Sequence, residues 1–246
     1  ITSVTNPGGV AGATKTYQYD AAGAITAATT SGATSGAQYL HYGANGRVAK
    51  VTGTASSTDP SAVSYLYNSA SQRLLKTDAR QSTTAPRTEH TLYSEEDSAQ
   101  LLGTYSNQRS ASSAAPAGEM DNTEVIYLPT AQGMVPVAAQ INGRLYAIHA
   151  DHLSTPRRLT NQQGQVAWQW LLTGFGEVSP TTGAKGYVQS DSPVANSLPS
   201  YAPEVTFNLR YPGQQWDEET QLSYNVNRYY GPQEGRYIQA DPIGLD

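Results

Sequence analysis

Two aspartates late in the chain, Asp217 and Asp241, are the side chains best suited to chemistry. Carboxylates brought close together share a proton, one charged to activate water and one neutral to donate, which is the logic of aspartic proteases. Arg228 lies between them in sequence and carries the planar fork that holds a carboxylate ionised through a bidentate pair. The structural alternative is that Asp241 caps a short helical turn with Pro242 at its first position, while Asp217 forms an ion pair with Arg228.

His149, Asp151 and His152 form a second grouping with metal-ligating side chains. On a strand, however, His149 and Asp151 point one way and His152 the other. His41 and His90 are far off in sequence and supply no further ligand at fixed spacing, so no metal and no cofactor is expected. Asp151 and His149 are expected instead to bond backbone groups at a turn. Arg157, Arg158 and Arg236 read as a solvated face, and the tyrosines as sheet packing in preference to sugar-stacking platforms.

The acidic pair needs a chain that folds back between its members. Tyr224, Val226 and Arg228 alternate with Asn225, Asn227 and Tyr229, which predicts one strand; Gly231-Pro232 then turns, and Arg236-Tyr237-Ile238 begins a second strand. Upstream, an aromatic followed by a turn former recurs at Tyr19-Asp20, Tyr42-Gly43, Tyr67-Asn68 and Tyr93-Ser94, a degenerate period of roughly 25 residues. Gly23 and Gly46 fall four residues after the aligned Tyr, and Ile25 and Val48 six after it; in the third unit Ser71 and Arg73 take those places. Each unit predicts a β-hairpin, with Tyr17 and Tyr19 on one face of a strand. A lone hairpin is marginal in water, so the units must stack.

Strands resume at 125–128, 135–141 and 144–149, the last two joined by Asn142-Gly143, a strong hairpin signal. Residues 106–123 are Ser-, Ala- and Gly-rich and read as a flexible loop, which sets a boundary between repeat hairpins at 1–123 and a closing region at 124–246. Residues 179–205, with four prolines, read as a surface excursion.

Gly213-Gln214, Trp216-Asp217, Glu219, Leu222, Tyr224-Asn225, Arg228-Tyr229-Tyr230, Pro232, Gly235-Arg236-Tyr237-Ile238 and Asp241-Pro242-Ile243-Gly244-Leu245 stand at the spacing of a family signature. The stretch resembles the core segment that ends the repeats of the RHS, or YD-repeat, family. Trp216 departs from the usual Tyr or Phe, and Gly231 from the usual Asp. Residues 17–25, 39–51 and 65–76 are similar to the family's repeat, and only the first keeps Asp after its second Tyr. His149, Asp151, Leu153 and Leu159-Thr160, followed by Gly164, Val166, Trp168 and Phe175-Gly176-Glu177, are similar to a second family block, with Ser154 in place of the usual Gly.

The resemblance implies an all-β fold in which hairpins wind into a hollow cage, or cocoon, closed by the final block. It implies a secreted bacterial product, exported by a type VI system or a toxin complex, whose shell encloses its own variable C-terminal toxin domain. Its partners would be that domain, neighbouring repeats and the export machinery. Release follows self-cleavage by aspartates of the terminal block, so Asp241, Asp217 and Arg228 are the residues expected to serve it. The family cuts after the Leu of a second D-P-x-G-L motif, whereas Asp241-Pro242-Ile243-Gly244-Leu245 matches the first. An autonomous self-processing aspartic peptidase and a glycan-binding adhesion module are the alternatives.

The bulk composition agrees with an all-β chain. Its 246 residues include 22 Gly, 14 Pro and 17 Tyr, and only 14% are charged. Tyr and Thr suit a pleated, half-buried surface, while Gly and Pro supply turns. A net charge of −5 with scattered Lys and Arg gives no field for nucleic acid, and no apolar run reaches the roughly 18 residues of a membrane span. The absence of Cys excludes disulfides and thiolate catalysis. Opening on Ile1 and stopping on a motif, the chain reads as a piece of something longer.

Overall fold

The computed structural model describes residues 3–5, 13–31, 37–95, 100–109, 120–131, 133–182 and 203–241. Among them there is no helix, and the strands are joined antiparallel into open sheets. The chain divides into two compact units, residues 1–89 with 215–246, and residues 90–214.

The first unit holds β1 (Ser3–Thr5), β2 (Thr14–Tyr19), β3 (Ile25–Ser31), β4 (Gln38–Tyr42), β5 (Val48–Thr52), β6 (Ala62–Tyr67), β7 (Arg73–Asp78) and the start of β8 (Arg87–Tyr93), each strand beside the next in chain order. The hairpin turns share one construction. The amide of Asp20, Gly43 or Asn68 donates to the carbonyl four residues on, at Ala24, Arg47 or Gln72. The third turn residue, Gly23, Gly46 or Ser71, sits at positive φ of 80°, 71° or 75°. That geometry is why Gly recurs there, and Ser71 adopts it without the freedom a glycine has. Asp20 and Asn68 add side-chain bonds to backbone amides within their own turns, the property that makes Asx residues turn formers.

A bulge precedes each turn, at Gln18/Tyr19, His41/Tyr42 and Leu66/Tyr67. It re-aims the last tyrosine of the strand. Tyr42 then donates through its hydroxyl to the Ile25 carbonyl of the preceding hairpin at 2.6 Å, and Tyr67 to that of Val48 at 2.7 Å. The repeat thus carries its own fastener between neighbours. One face is buried and the other is not, so Tyr65 is 4% exposed and its neighbour Leu66 63%.

Residues 215–241 return to this unit as a second sheet, β16 (Gln215–Asp217), β17 (Leu222–Asn225), β18 (Arg228–Gly231) and β19 (Arg236–Tyr237). The single strand expected across 224–229 is instead a hairpin that turns at Val226-Asn227 and pairs Asn225 with Arg228. Tyr224 and Tyr229 become cross-strand partners, both buried, which a continuous strand cannot achieve because they would face opposite ways. The expected turn at Gly231-Pro232 is present. Leu222, Tyr224, Tyr229 and Ile238 are buried, as are Val48, Val63 and Tyr65 of the repeats, and the Tyr65 and Tyr229 rings lie 5.5 Å apart between their centres.

The second unit contains β9 (Leu101–Ser106), β10 (Asn122–Thr130), β11 (Gly133–Ile141), β12 (Arg144–Ala150), β13 (Pro156–Thr160), β14 (Val166–Gln169) and β15 (Thr181–Thr182). Asn142 and Gly143 both take positive φ, as a tight two-residue turn requires. The loop expected at 106–123 is shorter, since Ser106 ends β9 and Asn122 pairs with Tyr105; the boundary expected after 123 therefore falls inside a hairpin. Residues 110–119 of that loop and 183–202 of the expected excursion lie outside the described residues, as do Pro242 to Leu245.

Candidate functional site

Asp217, at the end of β16, is completely buried and pairs with Arg73 of β7, also completely buried, at 2.5 Å. Tyr65 donates its hydroxyl to the same carboxylate oxygen at 3.1 Å, and Lys76 stands 3.6 Å from the other. The Arg73 guanidinium is enclosed by aromatic faces, 5.2 Å from the ring centre of Tyr65 and 4.7 Å from that of Tyr224. Lys76 is shared further with Glu89 and Glu219, at 3.5 and 3.1 Å. Burial alone would push the Asp217 carboxyl up, but Arg73 and Lys76, helped by hydrogen bonds from Arg73 and Tyr65, hold it below the ordinary carboxylate range. Burial drives the Tyr65 and Tyr229 hydroxyls the other way, well above theirs.

The expected Asp217–Arg228 pair is therefore replaced by Asp217–Arg73. Arg228 pairs with Asp241, at 3.1 Å, on a more open surface where the side chains are 26% and 41% exposed. Of the three residues singled out in the sequence, the fold joins Arg228 to Asp241 and encloses Asp217 among cations. Arg73 and Lys76 were not singled out as site residues. The visible signal was Arg73 itself, a cation at the repeat position held by Ile25 and Val48 in the earlier units.

Further contacts stitch the closing block to each repeat in turn. Glu234 accepts from Lys15 Nζ and the Tyr17 hydroxyl, both at 2.7 Å. Ile25 donates its amide to the Ile238 carbonyl, and Gln239 donates to the Gly46 carbonyl. Arg47 donates to the Val226 carbonyl and to Asn227 Oδ1, each at 3.1 Å, and to Ser71 Oγ. Tyr67 and Tyr229 share a hydroxyl bond at 2.9 Å. Gln215 reaches Glu89.

In the second unit Asp151 behaves as expected of a turn residue, its Oδ1 accepting from the amides of Leu153 and Thr155. His149 does not bond backbone; its Nε2 meets Thr160 Oγ1 at 3.0 Å across the β12–β13 pair. Arg157 bonds Asp151 and the Trp170 carbonyl, and Arg158 bonds Gln169, so both lie along their own sheet. Among the described residues no three His, Asp or Glu side chains converge as metal ligands.

No family model matches the chain. It is 35% identical over 109 residues to Toxin protein Tse5 of Pseudomonas aeruginosa, covering 44% of this chain and 7% of that protein. Double-stranded DNA deaminase toxin A of Burkholderia cenocepacia is 29% identical over 132 residues, 54% of this chain and 8% of its own. Among solved structures, the Photorhabdus luminescens Tc holotoxin pore superposes with a TM-score of 0.56 at 17% identity, covering 95% of this chain and 12% of that one. The chain thus spans a small part of each of these three proteins. With tyrosine-marked hairpins in chain order and a closing block laid across them, the chain bears out the expected resemblance to the RHS/YD-repeat family, shows sequence likeness to two toxins, and shares the fold of a toxin-complex protein.

Proposed function

We propose that the chain is a wall segment of a bacterial RHS shell that encloses a toxin domain of its own polypeptide, is exported with it, and contributes Asp241 to the self-cleavage that frees it. The observation that carries this reading is the way residues 215–239 bridge successive hairpins, from Lys15 and Tyr17 through Gly46 to Arg73 and Glu89. A block that ties several weak hairpins together at once suits a container, because each hairpin alone is marginal and shared edges are protected ones. The toxin names of the sequence relatives supply the context of a toxic cargo and export. So does a neighbouring structure, TcdB2-TccC3, described in one form as lacking its hypervariable C-terminal region.

The two parts of the reading separate in the full-length parent protein. Asp241→Asn is expected to leave one unprocessed band on a denaturing gel, and unchanged cleavage would remove Asp241 from the mechanism. Enclosure predicts that the downstream domain of that uncleaved variant resists added protease. Digestion of that domain as fast as when it is expressed alone would refute the container.

A further inference from the structure

We infer that hairpins β2–β3 and β6–β7 carry a charge key that admits the closing block, β16–β19, in a single register on the repeats. The repeats themselves create the need for one. Hairpins β2–β3, β4–β5 and β6–β7 share one turn construction and one buried side, so apolar packing alone would offer the block equivalent seats two strands, or roughly 10 Å, apart.

Aligned on Tyr19, Tyr42 and Tyr67, equivalent positions of the three hairpins differ in charge. Six and nine residues after the tyrosine stand Ile25 and Ala28, then Val48 and Val51, then Arg73 and Lys76, and all six are buried. Two residues before it stand Tyr17, Leu40 and Tyr65, and four before it Lys15, Gln38 and Val63. At these positions the middle hairpin offers neither a cation nor a tyrosine hydroxyl, whereas each flanking hairpin offers both. The closing block matches that pattern with two carboxylates. Asp217 takes Arg73 at 2.5 Å and the Tyr65 hydroxyl at 3.1 Å, while Glu234 takes Lys15 and the Tyr17 hydroxyl, both at 2.7 Å. Neither acid faces water, since their side chains are 0% and 4% exposed. The Glu234 carboxylate lies so close on the backbone of Gly231 that a Cβ there would collide with Oε2. Over the middle hairpin the block presents neutral partners, the Thr220 carbonyl to Gln38 and the Val226 carbonyl to Arg47.

A slip of one hairpin toward the N terminus would carry Asp217 onto Leu40, Val48 and Val51, and a slip the other way would carry Glu234 onto Gln38 and Leu40. Either slip leaves a buried carboxylate, and the cation it deserted, without a partner, which is strongly unfavourable. In the native seat the same pairs add little beyond what apolar side chains of similar volume would give, and the best-attested use of such buried charges is to fix register. The wrong seats are thus excluded by repulsion from apolar surface, while the right one needs no extra strength.

The test reads register by cross-linking in the full-length parent. Asn227, which Arg47 contacts, is changed to cysteine together with either the exposed turn residue Asn45 or its equivalent one hairpin earlier, Ala22. Each pair is treated with a bismaleimide shorter than the roughly 10 Å between neighbouring hairpins, and the products are mapped by mass spectrometry. With the key intact, Asn227→Cys should cross-link to Asn45→Cys and not to Ala22→Cys. The key is then removed by Arg73→Val, Asp217→Leu, Lys15→Gln and Glu234→Gln together; Lys76 is kept, because Glu89 of the repeats accompanies it in any register. That variant should still fold, as near-ultraviolet circular dichroism reports, and its preference for the native seat should fall by roughly 10²–10⁴-fold, so that the Ala22→Cys product appears. Cross-linking confined to Asn45→Cys in the folded variant would overturn the inference. Should the fourfold variant fail to fold, the isosteric pair Asp217→Asn with Glu234→Gln decides by the same two outcomes.

Discussion

Replacing Asp217 by alanine tests whether the closing block is locked to the repeats through its buried charge. Asp217 and Arg73 are both fully buried, 2.5 Å apart, and Tyr65 completes the carboxylate's shell. Removing the acid leaves Arg73 and Lys76 facing each other without it. Breaking a buried pair from one side costs about 3–5 kcal/mol, a large share of the roughly 5–15 kcal/mol that holds a domain together. At about 2–4 °C per kcal/mol for a chain of this size, the midpoint of thermal unfolding should fall by roughly 6–20 °C. Near-ultraviolet circular dichroism is the suitable probe, because the tyrosines around Arg73 change environment when the cluster opens. The double variant Arg73→Met with Asp217→Leu should recover much of the loss, since a well-packed apolar replacement of a buried pair is often neutral. A midpoint for Asp217→Ala within about 2 °C of the parent, or a double variant as unstable as the two single losses added together, would refute this reasoning.

Acid should act through the same carboxylate. Its folded value lies below the ordinary one, so its contribution is complete above about pH 4 and is lost as pH falls through the folded value; urea midpoints should drop across that acid window in the parent and lose much of that slope in Asp217→Asn. Two glycine exchanges should move stability in opposite directions. Ser154→Gly relieves a serine at φ 64° and should raise the thermal midpoint by the equivalent of about 0.5–1 kcal/mol. Gly176→Ala should lower it by about 1–3 kcal/mol, because φ is 74° and the new Cβ would stand 2.9 Å from Trp170 Cζ2 and 3.1 Å from Tyr211 Cε2.

The repeats were legible because their information is local. Tyr42-Gly43 and Tyr67-Asn68 announce a turn whose hydrogen bonds span only four residues, and Asn142-Gly143 does the same. The partner of Asp217 was not legible, since Arg73 lies far away in sequence and only packing of one sheet on another brings the two together. Val226 misled for a related reason. A β-branched residue within an alternating run favours a strand, and tertiary contacts from Arg47 and the burial of two tyrosines outweighed that preference. Arg228 was recognised as a carboxylate holder, yet which aspartate it holds depends on a hairpin register that alternation left one turn short.

The compact unit built from residues 1–89 and 215–246 has a consequence for biosynthesis. Asp217 leaves the ribosome 144 residues after Arg73, and Glu219 leaves it 143 residues after Lys76, the cations that these acids will neutralise. At about 5–20 residues per second, the nascent hairpins wait roughly 7–29 s with an uncapped aromatic face. Translation itself therefore delays the sealing step, and holdase chaperones have a defined interval in which to act.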